Sequence, residues 1–261
     1  MTTLAPPSSN TSTAVWLLPA PPLRARVLVA AGFGCLLVTV LGLGAQWWLG
    51  TAPKHPLVAV GVFTAMMATA LIGMRDHHPF PRFGPANHVT MLRGVLVALA
   101  AGLIAEPGGS AVAWALVGAT ATIGVLDGVD GWLARRTRMS SAFGARFDME
   151  TDALFMLVLS VLVWRHDKAG FWVIAIGLMR YAFVAGGWSF PWLAHPLRST
   201  RRGKAVAIGQ IAALGLALLP VVPVPVSTLA CGVALAALAW SFAIDVRFLY
   251  GQRARPDGRA L

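Results

Sequence analysis

Charge is what this chain has least of. Asp, Glu, Lys and Arg make up 12% of its 261 residues, against 57% apolar ones. That is about half the charge of a soluble domain, and the mean hydropathy is +0.70. A soluble protein with a large core would show amphipathic periodicity and more charge, so that class is excluded. Cysteine is nearly missing too. Cys35 and Cys231 both lie in apolar runs, which leaves no disulfide framework and no thiolate metal site. The histidines do not share the spacing of the acidic residues, and zinc therefore lacks its usual ligands. No cleaved signal peptide is expected, because the first long apolar run is followed by further runs and not by a polar mature domain. No internal repeat is strong enough to imply an inverted-repeat transporter.

What the chain does have is apolar runs near the length of about 20 residues that crosses a bilayer as a helix. They fall at roughly 27–50, 57–74, 89–105, 111–133, 153–164, 169–187, 204–222 and 226–246. The expected fold is an all-α, polytopic membrane protein of about eight spans. The 153–164 run is short, and its helix is expected to begin near Gly144. Residues 1–26 read as a flexible tail, 27–84 as two additional N-terminal spans with a loop, 85–250 as a six-helix core, and 251–261 as a basic tail. The formal net charge of +11 does not call for a nucleic-acid partner. An even number of spans puts both termini on one side, and 16 of the 21 Lys and Arg fall there with 3 opposite. Arg93 and Arg180 are inside spans. Basic loops are retained in the cytoplasm, so both termini are expected to be cytoplasmic, in a cell (inner) membrane protein.

Five of the ten acidic residues crowd into one 26-residue window: Asp127, Asp130, Asp148, Glu150 and Asp152. Carboxylates at membrane level are expensive and normally serve a cation, a proton path or a substrate. Asp127 and Asp130 are three apart at the end of one span, and Asp148 and Asp152 are four apart at the start of the next. Each pair therefore shares a helix face. Two antiparallel helices packed side by side would merge the pairs into an all-oxygen nest suited to Mg²⁺ or Mn²⁺, and the charge fits two ions. A two-ion site clamps the attacking and leaving oxygens at one phosphorus. Arg135 lies two turns beyond Asp127 and could meet phosphate. Gly128, Gly131 and Gly144 clear space for close approach. The bland alternative is an ion-pair network of these Asp with Arg135, Arg136, Arg138 and Arg146.

The window reads Asp127-x-x-Asp130-Gly131-x-x-Ala134-Arg135, eight residues, then Gly144-x-x-x-Asp148-x-x-x-Asp152. It resembles the signature of the CDP-alcohol phosphatidyltransferase family (class I) at every fixed position, and the resemblance extends over about 85–247. Pro85-Ala-Asn87-His-Val-Thr90-Met-Leu-Arg93 resembles the segment with which such proteins enter their first core span. Gly203-Lys204 with Gln210 resembles a later one, although Ala207 stands where Thr is frequent. The resemblance implies metal-dependent transfer of a phosphatidyl group from CDP-diacylglycerol to an alcohol, with release of CMP. Carried over, it makes Asp127, Asp130, Asp148 and Asp152 the metal ligands and Asp152 also the catalytic base. Gly131, Arg135, Ser141 and Gly144 are implied to contact the CDP group, with Asn87 and Thr90 bordering that pocket.

Arg180, Arg198, Arg201 and Lys204 would suit an anionic acceptor. The expected partners are thus a CDP-lipid, an alcohol and membrane lipid, together with a second copy of the chain. Gly124-x-x-x-Gly128 permits either dimerisation or close packing of helices near the site. His77-His78 reads as a loop pair. The ten Trp fit interfacial belts. A divalent-cation transporter using the Asp cluster is the alternative from another class.

Overall fold

The computed structural model describes residues 19, 21–74, 77–195 and 200–252. Most of the expected tails, and Arg198, lie outside the described residues. Among the described residues eight α-helices follow one another: α1 (Pro21–Leu49), α2 (Lys54–Met74), α3 (Pro85–Gly102), α4 (Ser110–Arg136), α5 (Ala142–Arg165), α6 (Ile174–Ser189), α7 (Arg201–Leu218) and α8 (Val224–Gln252). Among the described residues there is no strand. One helix stands for each apolar run read from the sequence, and six of them are long and apolar enough to cross a membrane. The exceptions are α5 and α7, whose first turns carry Arg146, Asp148, Glu150 and Asp152 in one case and Arg201, Arg202 and Lys204 in the other. The chain is an integral membrane protein.

Helix α3 is the hub. The most apolar window of this span is 61% buried inside the protein, against at most 28% for the other five candidate spans. It packs against α1, α2, α4 and α5. In lipid the solvent is as apolar as the side chains, so packing rather than water exclusion holds helices together. The central cluster joins Val97 of α3, Leu116 and Ile123 of α4, Phe155, Leu159 and Leu162 of α5, and Leu214 and Leu218 of α7. A second cluster ties α1 and α2, through Val38, Phe63 and Met67, to Met91 and Val95 of α3 and to Phe143 and Phe147 of α5.

One expectation is corrected here. The sequence suggested that α4 and α5 pack side by side. Among the described residues they make no extensive contact, and α3 and α7 each pack on both. The connection explains why: it is short but turns sharply. Helix α4 ends in a Schellman arrangement, in which the N–H of Met139 bonds to the carbonyl of Ala134 at 3.3 Å and that of Arg138 to Arg135 at 3.3 Å. Arg138 takes the left-handed position with φ 55°, a place usually filled by Gly. Ser141 then caps α5, its Oγ accepting from the Gly144 N–H at 3.0 Å. The two helices share an end and diverge, leaving room for α3.

Candidate active site

The four aspartates of the window do converge, and the convergence point is an arginine on a third helix. Arg93 of α3 is only 1% exposed. Its Nη1 lies 2.6 Å from Asp130 Oδ2 and 2.5 Å from Asp148 Oδ1, and its Nη2 lies 2.8 Å from Asp127 Oδ1 and also contacts Asp152 Oδ1. Thr90, one turn before Arg93, donates from Oγ1 to Asp130 Oδ2 at 3.2 Å. The ion-pair network expected as the bland alternative thus exists, but with a different partner. Among the described residues, Arg135, Arg136, Arg138 and Arg146 make no salt bridge to these carboxylates. The guanidinium of Arg136 lies over the Trp132 ring, 4.8 Å from its centroid.

The donor set fits a divalent cation. One oxygen each from Asp127, Asp148 and Asp152 lies within 4.8 Å of the others, all hard ligands of the kind Mg²⁺, Mn²⁺ and Ca²⁺ prefer. Arg93 reaches one oxygen of each aspartate. One guanidinium against four carboxylates leaves three formal negative charges in excess. Asp130 is buried, whereas the side chains of Asp127 and Asp148 keep 51% and 38% of their surface open. The nest is closed towards α3 and open on its other side. All four residues sit in the last turns of α4 or the first turns of α5, at one end of the bundle.

A cavity of about 190 Å³ adjoins the nest. Asn87 and Thr90 enter it from α3, Gly131 and Arg135 from α4, and Ser141 and Gly144 from the start of α5, with Asp130 and Asp148 at its edge. All six residues carried over as substrate contacts therefore line one space. Asn87 is held by a hydrogen bond from Nδ2 to the Phe83 carbonyl. A Cβ at Gly144 would sit 3.0 Å from Asn87 Oδ1, a tight approach that the absence of a side chain avoids. At Gly131 a Cβ would lie 3.4 Å from Arg135 Nη1, so the Arg135 side chain folds back along its own helix beside the cavity. Ser141 Oγ also meets His78 Nδ1 at 3.1 Å, while His78 Nε2 bonds to the Arg82 carbonyl at 2.8 Å. His78 is thus a buried strut between the loop before α3 and the start of α5.

The residues expected at an acceptor site lie apart from this cavity. Arg180 of α6 donates to Glu150 Oε1 at 2.6 Å, so the intramembrane arginine has its partner on the next face of α5. Arg201 and Lys204 are exposed near the start of α7. Gln210 is buried and donates to the Ala234 carbonyl at 2.8 Å. Gly124 and Gly128 have open space where a Cβ would be, so packing among the described residues does not account for that pair. Two participants were given no role from sequence. Glu150 gave no signal beyond its place in the window. Arg93 did: a lone arginine in an apolar run needs a partner, and its partners were the four aspartates.

A family model described as CDP-alcohol phosphatidyltransferase matches residues 83–244. Among curated proteins and among solved structures, none matches the chain significantly.

Proposed function

The chain belongs to the CDP-alcohol phosphatidyltransferase family, and from that premise we propose that it moves a phosphatidyl group from CDP-diacylglycerol to an alcohol, releasing CMP. The observation that carries this reading is the meeting of Asp127, Asp130, Asp148 and Asp152 beside a cavity lined by the remaining signature residues. The family is divalent-metal dependent. In this reading the four aspartates hold two ions, Mg²⁺ or Mn²⁺, whose charge when bound neutralises the pyrophosphate of the donor.

The chain's own groups divide the work of the reaction. Asn87, Thr90, Gly131, Arg135, Ser141 and Gly144 cradle the CDP group, with Arg135 supplying a guanidinium for phosphate. Arg93 holds Asp152 by Oδ1 and leaves Oδ2 for the acceptor hydroxyl, where a base must lie within hydrogen-bond reach. Asp152 takes the hydroxyl proton, and the alcohol oxygen attacks the phosphorus that bears the lipid. The bond from that phosphorus to the CMP phosphate oxygen breaks, and CMP leaves with the electron pair. An anionic acceptor would be met by Arg180, Arg201 and Lys204, and Arg198 completes that set in sequence. A cell (inner) membrane location, with the site and both termini cytoplasmic, belongs to the same reading, supported by the 16 to 3 distribution of basic residues. A homodimer belongs to the same reading, its support being the outward-facing Gly124 and Gly128. A cation transporter is disfavoured, because its carboxylates would stand near mid-membrane and these cluster at one end.

The test is direct. Purified protein given CDP-diacylglycerol, Mg²⁺ and a panel of alcohols should release CMP, and the Asp152→Asn variant should not. No release with any acceptor, from a protein whose Asp152→Asn form behaves identically, overturns the proposal.

A further inference from the structure

Outside the residues matched by the family model, α1 builds something of its own. A groove of about 790 Å³ runs between α1, the loop before α3, and α3 itself, within the range of about 300–1,000 Å³ typical of ligand sites. Its α1 wall follows helical spacing: Arg26, Val29, Ala30 and Phe33 fall at i, i+3, i+4 and i+7, so they form one stripe. Met91 of α3 faces this stripe, and Arg82 joins Arg26 at the groove. Arg26 Nη1 donates to the Pro81 carbonyl at 3.3 Å, which ties α1 to the loop that carries Arg82. Among the described residues no carboxylate lines the groove.

We propose that this groove is a binding site for an anionic phospholipid, with its phosphate on Arg26 and Arg82 and an acyl chain along Val29, Ala30 and Phe33. Three observations favour that occupant over others. Val29 and Phe33 are 73% and 63% exposed, which in a membrane-spanning helix means exposure to lipid. Two guanidinium groups at one end of an apolar trough match a headgroup phosphate with chains attached, since arginine binds phosphate through paired N–H donors. The groove is also continuous with the active-site end of the protein, because Met139 lines both it and the cavity beside the aspartates. The first of the two additional N-terminal helices thereby gains a role, which is to hold a charged lipid next to the site. This site does not depend on the proposed reaction, as it is read from α1, the loop before α3 and the facing side of α3.

The experiment is native mass spectrometry of delipidated full-length protein. Equal amounts of phosphatidylglycerol and phosphatidylcholine with matched chains are added, and the bound lipids counted. The wild type should retain at least about fivefold more phosphatidylglycerol. Arg26→Gln with Arg82→Gln should bring the two lipids to parity, with an unchanged thermal midpoint showing that the fold persists. Ala30→Trp, which fills the trough without touching charge, should lower retention of both. Equal retention by the wild type, or an undiminished preference in the double variant, overturns the site. Because the readout is binding, a protein that fails to release CMP leaves this result intact, and the reverse also holds.

Discussion

Arg93 and Asp130 meet 2.6 Å apart with 1% and 6% of their side chains exposed, and this buried pair is the pin on which the other three aspartates turn. An arginine so placed cannot be exchanged for an apolar residue without leaving the carboxylates to repel one another. Breaking a buried pair by removing one partner costs about 3–5 kcal/mol. Arg93→Met should therefore unfold at a clearly lower temperature in chelator. Mg²⁺ should restore more of the midpoint in the variant than it adds to the wild type, because the divalent charge replaces the lost guanidinium. No Mg²⁺ shift in either protein would mean that the nest does not bind the ion, and equal shifts in both would mean that the ion does not replace the guanidinium.

Asp152 is assigned to proton removal, and general-base catalysis contributes about 10²–10⁴-fold. Asp152→Asn keeps the shape and an oxygen able to accept from Arg93, so the fold should survive by circular dichroism. Its CMP release should fall by about that factor. Activity within about tenfold of the wild type would move the base to another residue.

The helix count and the aspartate pairs were legible in the sequence because both rest on local pattern: apolar runs of spanning length, and acidic spacing of three and four. The start of α5 was legible too: it was expected near Gly144, and the helix begins at Ala142. What sits between helices was not. Nothing in the order of residues says that α3 separates α4 from α5, because that arrangement depends on the turn at Thr137–Ser141 and on packing far along the chain. Arg93 shows the same limit. Its need for a partner is written in the apolar run around it, but its convergence on Asp127, Asp130, Asp148 and Asp152 exists only once α3 becomes the central helix. The groove beside Arg26 was equally hidden, because it joins residues of α1 to a loop distant in the chain, with Arg26 and Pro81 55 positions apart.

Arg138 offers a test of the turn itself. A non-glycine residue in the left-handed conformation, here φ 55°, costs about 1–2 kcal/mol. Glycine adopts it freely, although the glycine variant also gains freedom when unfolded. Arg138→Gly should therefore raise stability by up to about 1 kcal/mol, read as a higher thermal midpoint with unchanged CMP release. A lower midpoint would mean that the chain does not leave α4 by this turn.

Gly144 separates a cavity that binds the donor from one that merely exists. A Cβ at this position would stand 3.0 Å from Asn87 Oδ1 and 3.3 Å from Ser141 Oγ, and neither neighbour moves freely. Asn87 is tethered to the Phe83 carbonyl, and Ser141 caps α5 at Gly144 itself. Overpacking of this kind costs about 1–3 kcal/mol, so Gly144→Ala should fold with a modestly lower midpoint. Gly144→Val adds bulk at the wall of a cavity of only about 190 Å³. If the CDP group binds there, KM for the CDP-lipid should rise at least about tenfold, while KM for the alcohol changes little. A rise confined to the alcohol, or none at all, would place the donor elsewhere and leave Asn87, Gly131 and Ser141 with a structural role alone.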